Sequence, residues 1–314
     1  MTMTNVTEEW IASSSFDALF CKEELTTGLN GHLILFVVLN AFFSVTAFLG
    51  NAAILVALHK ESSMYPASKV LFRCLAISDL FVGLVTEPTR VTHFLSVMLK
   101  HEKICQYTTV LGYVFGYSLS AVSLLTVTAI SLDRLLTLLL GLSYRQVVTS
   151  KRSFLAAAVI WIVPIVSTAM YFWNSRVTYW FGYVVISLCI VITAYSYTKI
   201  FVTLRQHQIQ PHYNVRPHQE IHTAPLNIAR YKKAVSSSLW MQVTLSACYL
   251  PFALIDAFFT QREVSQSLYV ARALAITLVY VNSSLNPILY CWKFAGVRRA
   301  VKELIGRLFI CYGG

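Results

Sequence analysis

Seven long apolar runs dominate the chain, at about 32–58, 70–98, 106–140, 154–173, 179–204, 234–259 and 268–291. Each reaches the roughly 20 residues that a helix needs to cross a hydrocarbon layer. Polar residues gather at the joints or stand singly inside a run. Lipid offers the backbone no hydrogen bonds, so a spanning segment must satisfy its own, as a helix does. The pattern therefore predicts an all-α integral membrane protein. Residues 32–291 form a bundle of seven spanning helices, and 1–31 form an N-terminal segment. Residues 292–314 read as a short amphipathic helix and tail, with Val297 and Val301 apolar beside Arg298, Arg299 and Lys302.

Composition agrees. Charged residues make up 12% of the chain, against about 25% in a soluble domain, and the mean hydropathy is +0.61. A net charge of +11 could point to nucleic acid, but its distribution points to membrane orientation. Of the 25 Lys and Arg, 18 fall on one side of the spans. The basic side is expected to be cytoplasmic, which puts the N-terminus outside and the C-terminus inside. Residues 1–31 lack a basic stretch followed by an apolar core, so the first span is expected to act as the targeting signal. Asn5-Val6-Thr7 is a glycosylation sequon on the expected outer side. No G-x-S-x-G, H-E-x-x-H, P-loop or C-x-x-C motif occurs, so no enzyme is expected.

The single polar positions carry the rest. Asp79 is the one acid near the centre of a run, where an ionisable group costs about 2.5 kcal/mol or more and marks function or a structural hub. Asn282 and Asn286 share a face of the last run, beside Pro287, which bends a helix by removing a hydrogen bond. Asn51, Leu75-Ala76-x-x-Asp79, Asp133-Arg134, Trp161, Pro251 and Asn286-Pro287-x-x-Tyr290 follow one another, each in its own run. This set resembles the rhodopsin-like (class A) family of G-protein-coupled receptors, over about residues 32–308.

The resemblance implies a plasma-membrane receptor that transmits an extracellular ligand's binding to a heterotrimeric G protein. It assigns coupling and activation to Asp133, Arg134, Tyr197, Pro251, Asn286, Pro287 and Tyr290. It assigns an allosteric sodium ion to Asp79, Ser123, Asn282 and Asn286. The implied ligand pocket involves Gly116, Ser120, Tyr249, Phe252, Ile276 and Tyr280, with Glu87, Arg90 and Asp256 nearer its mouth. Glu87 and Arg90, three residues apart, either serve that pocket or pair with each other. Gly116 replaces the aspartate of amine receptors, and Tyr280 the Schiff-base lysine of opsins. A peptide, lipid or small metabolite ligand remains open.

Departures from the family's pattern add expectations. Leu135 follows Arg134 in place of a tyrosine, and Tyr249 replaces a tryptophan. Arg230, Lys232 and Lys233 surround Tyr231, where many members place an acid against Arg134, so activity without ligand is expected. The joint at about 174–178 is short and lacks the family's cysteine. Cys105 then either pairs with Cys21 or both stay free thiols. The missing cysteine and Cys189 resemble the melanocortin, lysophospholipid and cannabinoid branch. Cys311 is either palmitoylated or a free thiol. Implied partners are the ligand, the G protein, membrane lipid and a second receptor copy, with no nucleic acid. The rival readings are a seven-helix scaffold without coupling and a transporter, although the runs show no inverted repeat.

Overall fold

A computed structural model gives the fold and describes residues 21–60, 64–173, 175–209, 228–259, 265–293 and 295–312. Among them every element is helical. In chain order α1 is Glu23–Thr26, α2 Asn30–Lys60, α3 Pro66–Phe81, α4 Glu87–Met98, α5 Glu102–Leu140 and α6 Tyr144–Val147. Then come α7 Ser150–Ala169, α8 Ser175–Ile209, α9 Ile228–Phe259, α10 Gln266–Lys293 and α11 Ala295–Tyr312.

Six described helices are long and apolar enough to cross a membrane. The remaining expected span, 70–98, is α3 followed by α4, joined by a π-helical turn over Val82–Thr86. Its cause is local. Pro88 lies at the start of α4 and has no N–H to give the turn before it, and a wider turn absorbs the defect. Pro164, Pro251 and Pro287 lie inside α7, α9 and α10. Large apolar side chains on these helices face outward, among them Phe42 at 60% exposure, Leu155 at 67% and Phe201 at 68%. Such faces belong against lipid, since in water they would associate. The joint expected at 174–178 is shorter than that: a 3-10 turn runs to Phe172 and α8 already begins at Ser175.

Packing divides the chain into two compact units. The first comprises Met1–Leu55, Ala76–Ser120 and Thr244–Ile288. Its core is Leu33, Phe36, Phe94, Tyr269 and Ala273. Polar contacts fix the helices within it. Asn51 Nδ2 donates to the Ser283 carbonyl at 2.9 Å, and Ser44 Oγ to the Gly83 carbonyl at 2.7 Å. A Cβ on Gly50 would lie 2.8 Å from the Pro287 ring, so the glycine makes room for the proline. The second unit comprises Val56–Leu75, Ala121–Val243 and Leu289–Gly314. There Leu135 packs on Ile200, Phe72 meets the Tyr290 ring edge-on at 5.6 Å, and Trp161 Nε1 donates to Cys74 Sγ at 3.1 Å.

Cys21 and Cys105 form a disulfide across 84 residues, with Cα atoms 5.9 Å apart. It ties the N-terminal segment to α5. An exposed ion pair of Glu23 with Lys100 lies beside it and contributes little. Replacing Cys105 by serine is expected to cost about 2–4 kcal/mol of unfolding free energy. Thermal unfolding of the purified protein should show a lower midpoint; an unchanged midpoint would mean that the bridge constrains nothing.

In α11, Val297 is buried while Arg298, Arg299 and Lys302 are exposed, which gives the helix one apolar and one basic face. Asn5 lies outside the described residues, as does the side chain of Cys311.

Candidate functional site

Near its end α5 places Asp133 and Arg134 side by side, in the second unit. The Asp133 carboxylate is buried and held by three donors. Arg134 Nη2 lies 2.9 Å from Oδ2, Ser68 Oγ donates to Oδ2 at 2.8 Å, and the Tyr144 hydroxyl donates to Oδ1 at 2.5 Å. Burial, and then the neighbouring carboxylate, push the Tyr144 hydroxyl up to about 12, so the tyrosine keeps its proton and remains a donor. The Arg134 guanidinium also lies 5.8 Å from the centre of the Phe72 ring, and that ring packs on Tyr290. A buried carboxylate is costly unless each lone pair finds a donor, and Ser68 and Tyr144 meet that need. Tyr197 has its hydroxyl 3.3 Å from Ser131 Oγ and packs with Leu138 and Leu204 on the Leu135–Ile200 pair. Leu135 is therefore a core residue facing α8. The expectation on Tyr231, Arg230, Lys232 and Lys233 falls on side chains outside those described.

In the first unit Asp79 is fully buried. Ser283 Oγ donates to its Oδ1 at 2.9 Å and Asn286 Nδ2 to its Oδ2 at 2.7 Å. Asn282 is buried beside Ser283 in sequence, and its Oδ1 has no hydrogen-bond partner. A carboxylate with an orphaned amide oxygen on the same unit is a hard-donor set that fits sodium. Ser123, the remaining expected ligand, is buried on the part of α5 that belongs to the second unit. Ser283 was not among the expected residues, although it adjoins Asn282. Among the described residues no group of three His, Cys, Asp or Glu could hold a metal.

The expected ligand residues divide. A Cβ on Gly116 would lie 2.2 Å from the Tyr280 hydroxyl, so the glycine is where that hydroxyl fits. The Tyr249 hydroxyl donates to the Ser120 carbonyl at 3.1 Å, and Phe252 is half-buried. Ile276 lines a small cavity with Arg90, His93, Thr109, Tyr269 and Arg272. It encloses ≈ 20 Å³, enough for about one ordered water. Asp256 is engaged by Arg272, whose Nε donates to Oδ1 at 3.2 Å. Of the two expectations for Glu87, the pairing with Arg90 is not formed. Glu87 is fully buried, and neither carboxylate oxygen has a hydrogen-bond partner. The Arg90 guanidinium lies 4.7 Å from the centre of the Phe94 ring. The packing around Phe94 turns the arginine away from the acid.

The chain matches the model of the 7 transmembrane receptor (rhodopsin family) over residues 50–179. It is 22% identical over 312 residues to adenosine receptor A3 of Ovis aries, covering 91% of this chain and 94% of that one. It is 24% identical over 307 residues to the high-affinity lysophosphatidic acid receptor of Xenopus laevis, covering 84% and 80%. Against probable G-protein coupled receptor 45 of Mus musculus it is 24% identical over 306 residues, again covering 84% and 80%. All three are receptors rather than enzymes, scaffolds or transporters. With its helices and its ordered motifs, the chain is a multi-pass membrane protein similar to the rhodopsin family of seven-transmembrane receptors over residues 50–179 and, over most of its length, to these adenosine, lysophosphatidic acid and G-protein-coupled receptors.

Proposed function

We propose that Arg134 is the residue that meets the G protein, and that Asp133 restrains it in the resting receptor. The observation that carries this reading is the grip on Asp133. With its lone pairs taken by Ser68 and Tyr144, the carboxylate is fixed where it attracts Arg134. Activation then means that the guanidinium leaves this partner, at a cost set by a largely buried ion pair. Tyr197 and Tyr290, one beside Ser131 and the other against Phe72, are the hydroxyls we assign to the open state. Pro251, Asn286 and Pro287 are the positions at which we place the helix bending.

The Arg134 end of the bundle is the cytoplasmic one on this reading, in keeping with the basic joints there, and the Cys21–Cys105 end is outside. Sodium would be held in the first unit by Asp79 and Asn282, with Asn286 as a further oxygen donor. There its positive charge would offset that of the buried carboxylate. Asn5 would carry a glycan and Cys311 a lipid, and α11 would lie on anionic lipid through Arg298, Arg299 and Lys302. A second receptor copy is a further proposed partner. The names of the relatives refer to a nucleoside and to a lysophospholipid. The ligand here is proposed to enter the first unit beside Ile276 and Tyr280.

Asp133→Asn is expected to raise ligand-free G-protein activation several-fold. The amide oxygen still accepts from one of Ser68 and Tyr144 while its nitrogen can donate to the other hydroxyl, but the charge that holds Arg134 is lost, and a hydrogen bond to a charged group is worth about 1.5–3 kcal/mol. Measured in cells across the four Gα classes at equal surface expression, an unchanged signal would sink this account of restraint.

A further inference from the structure

We propose that the cavity headed by Arg90 and Arg272 receives the acidic group, carboxylate or phosphate, of this receptor's ligand. The proposal rests on the reading that the ligand enters the first unit, and adds its chemical class.

The charges around the cavity carry the inference. Two guanidiniums and a histidine line it, with the hydroxyls of Thr109 and Tyr269, and no carboxylate does. The two arginines differ. Arg272 is balanced by Asp256 at 3.2 Å. Arg90 has no carboxylate within ion-pair distance among the described residues, and its Nε is buried without a hydrogen-bond partner. Its guanidinium lies over the face of Phe94. A cation over a ring gains about 0.5–2 kcal/mol, less than the several kcal/mol that removing a charge from water costs. The acid nearest in sequence, Glu87, is equally unsatisfied, yet the two do not meet. Arg90 is thus held short of its natural partner and turned toward a space where none is present.

An arginine fork matches the paired oxygens of a carboxylate or phosphate. The cavity is small, so it admits the tip of a ligand, an acidic oxygen in the place of a water, rather than a whole molecule. The rim is fixed as well. His93 Nδ1 lies 3.2 Å from Thr109 Oγ1, and Cys21 Sγ lies 3.8 Å from the same hydroxyl, so the disulfide braces the cavity's edge. A cationic ligand would meet only like charge there.

The test uses the full-length receptor in phosphatidylcholine nanodiscs and follows thermal unfolding. Inorganic phosphate is compared with chloride at equal ionic strength, and lysophosphatidate with an uncharged monoacylglycerol of the same chain length. Phosphate or lysophosphatidate is expected to raise the midpoint of the wild type. In Arg90→Gln the apparent affinity should fall about 10- to 100-fold, the loss of a charged hydrogen bond. Arg90→Lys, which keeps the charge without the fork, should retain part of the shift and guards against a misfolded glutamine variant. Protection by phosphate alone assigns a soluble acid; protection by lysophosphatidate alone assigns a lipid headgroup. Equal shifts in wild type and Arg90→Gln, or no shift from either anion, overturn the proposal. Protection by monoacylglycerol equal to that by lysophosphatidate also overturns it, while leaving the first unit as the place of ligand entry.

Discussion

Arg134→Ala is expected to abolish G-protein activation, with and without agonist, in cells that display the receptor at the wild-type level. The guanidinium is the one strong donor fork at the end of α5, and only 14% of its side chain is exposed. Removing it deletes the proposed contact with the G protein and also leaves Asp133 without its cation. The second effect is limited, because Ser68 and Tyr144 still hold the carboxylate. Truncating one partner of a buried pair ordinarily costs about 3–5 kcal/mol, and two remaining donors should keep the loss below that. Arg134→Lys separates the two consequences. It restores the charge next to Asp133 but not the fork, so folding should recover while activation stays at least about tenfold down. Ligand-free activation by Arg134→Ala at the wild-type rate, normalised to surface receptor, would remove Arg134 from the coupling role.

The second large effect is structural. Gly83→Ala should destabilise the receptor by about 1–3 kcal/mol or more, seen as a lowered unfolding midpoint and reduced surface expression. Its new Cβ would lie 2.7 Å from the Phe48 backbone nitrogen and 2.8 Å from the Ser44 carbonyl oxygen. Both are backbone atoms of α2, so no side chain can swing away and the helices must part. That movement also breaks the 2.7 Å bond from Ser44 Oγ to the Gly83 carbonyl. The usual gain from replacing a helical glycine by alanine, about 0.5–1 kcal/mol, is too small to compensate. Gly306→Ala supplies the control, since a Cβ there meets nothing within 4 Å. Equal midpoints for the two variants would show that the close approach of α2 carries no stability.

What could be read without coordinates follows from what lipid enforces. Spanning helices need unbroken apolar runs, so all seven stood out, Asp79 stood out as a charge where charge is expensive, and the Asp133–Arg134 pair stood out as one of the ordered motifs. The partners of those charges did not. Ser68 reaches Asp133 across 65 residues, and Arg272 reaches Asp256 across 16. A polar residue at a joint carries no periodicity that says which acid it will meet. Position by position, the family resemblance listed pocket residues, but of these only Arg90 and Ile276 line the cavity. His93, Thr109 and Tyr269 came from packing around Phe94, which no motif marks. For Cys21 and Cys105 two outcomes were open, and the fold brings their Cα atoms to bonding range. Pro88 was the overlooked signal in the second run, where it foretells a defect.

That defect sets an angle. A π turn spends one residue more than an α-helical path, and each residue of an α-helix accounts for about 100° of rotation. The turn over Val82–Thr86 therefore decides which flank of α4 faces the protein: the one bearing Glu87, Arg90 and His93, rather than their neighbours in sequence. Shortening the turn by one residue would spin the rest of the helix by more than a quarter of a revolution and carry Arg90 out of its cavity, with every side chain unchanged. Along α4, then, equivalence with a receptor whose second helix lacks such a turn runs one position out of step, and residues aligned by motif alone would be matched to the wrong flank.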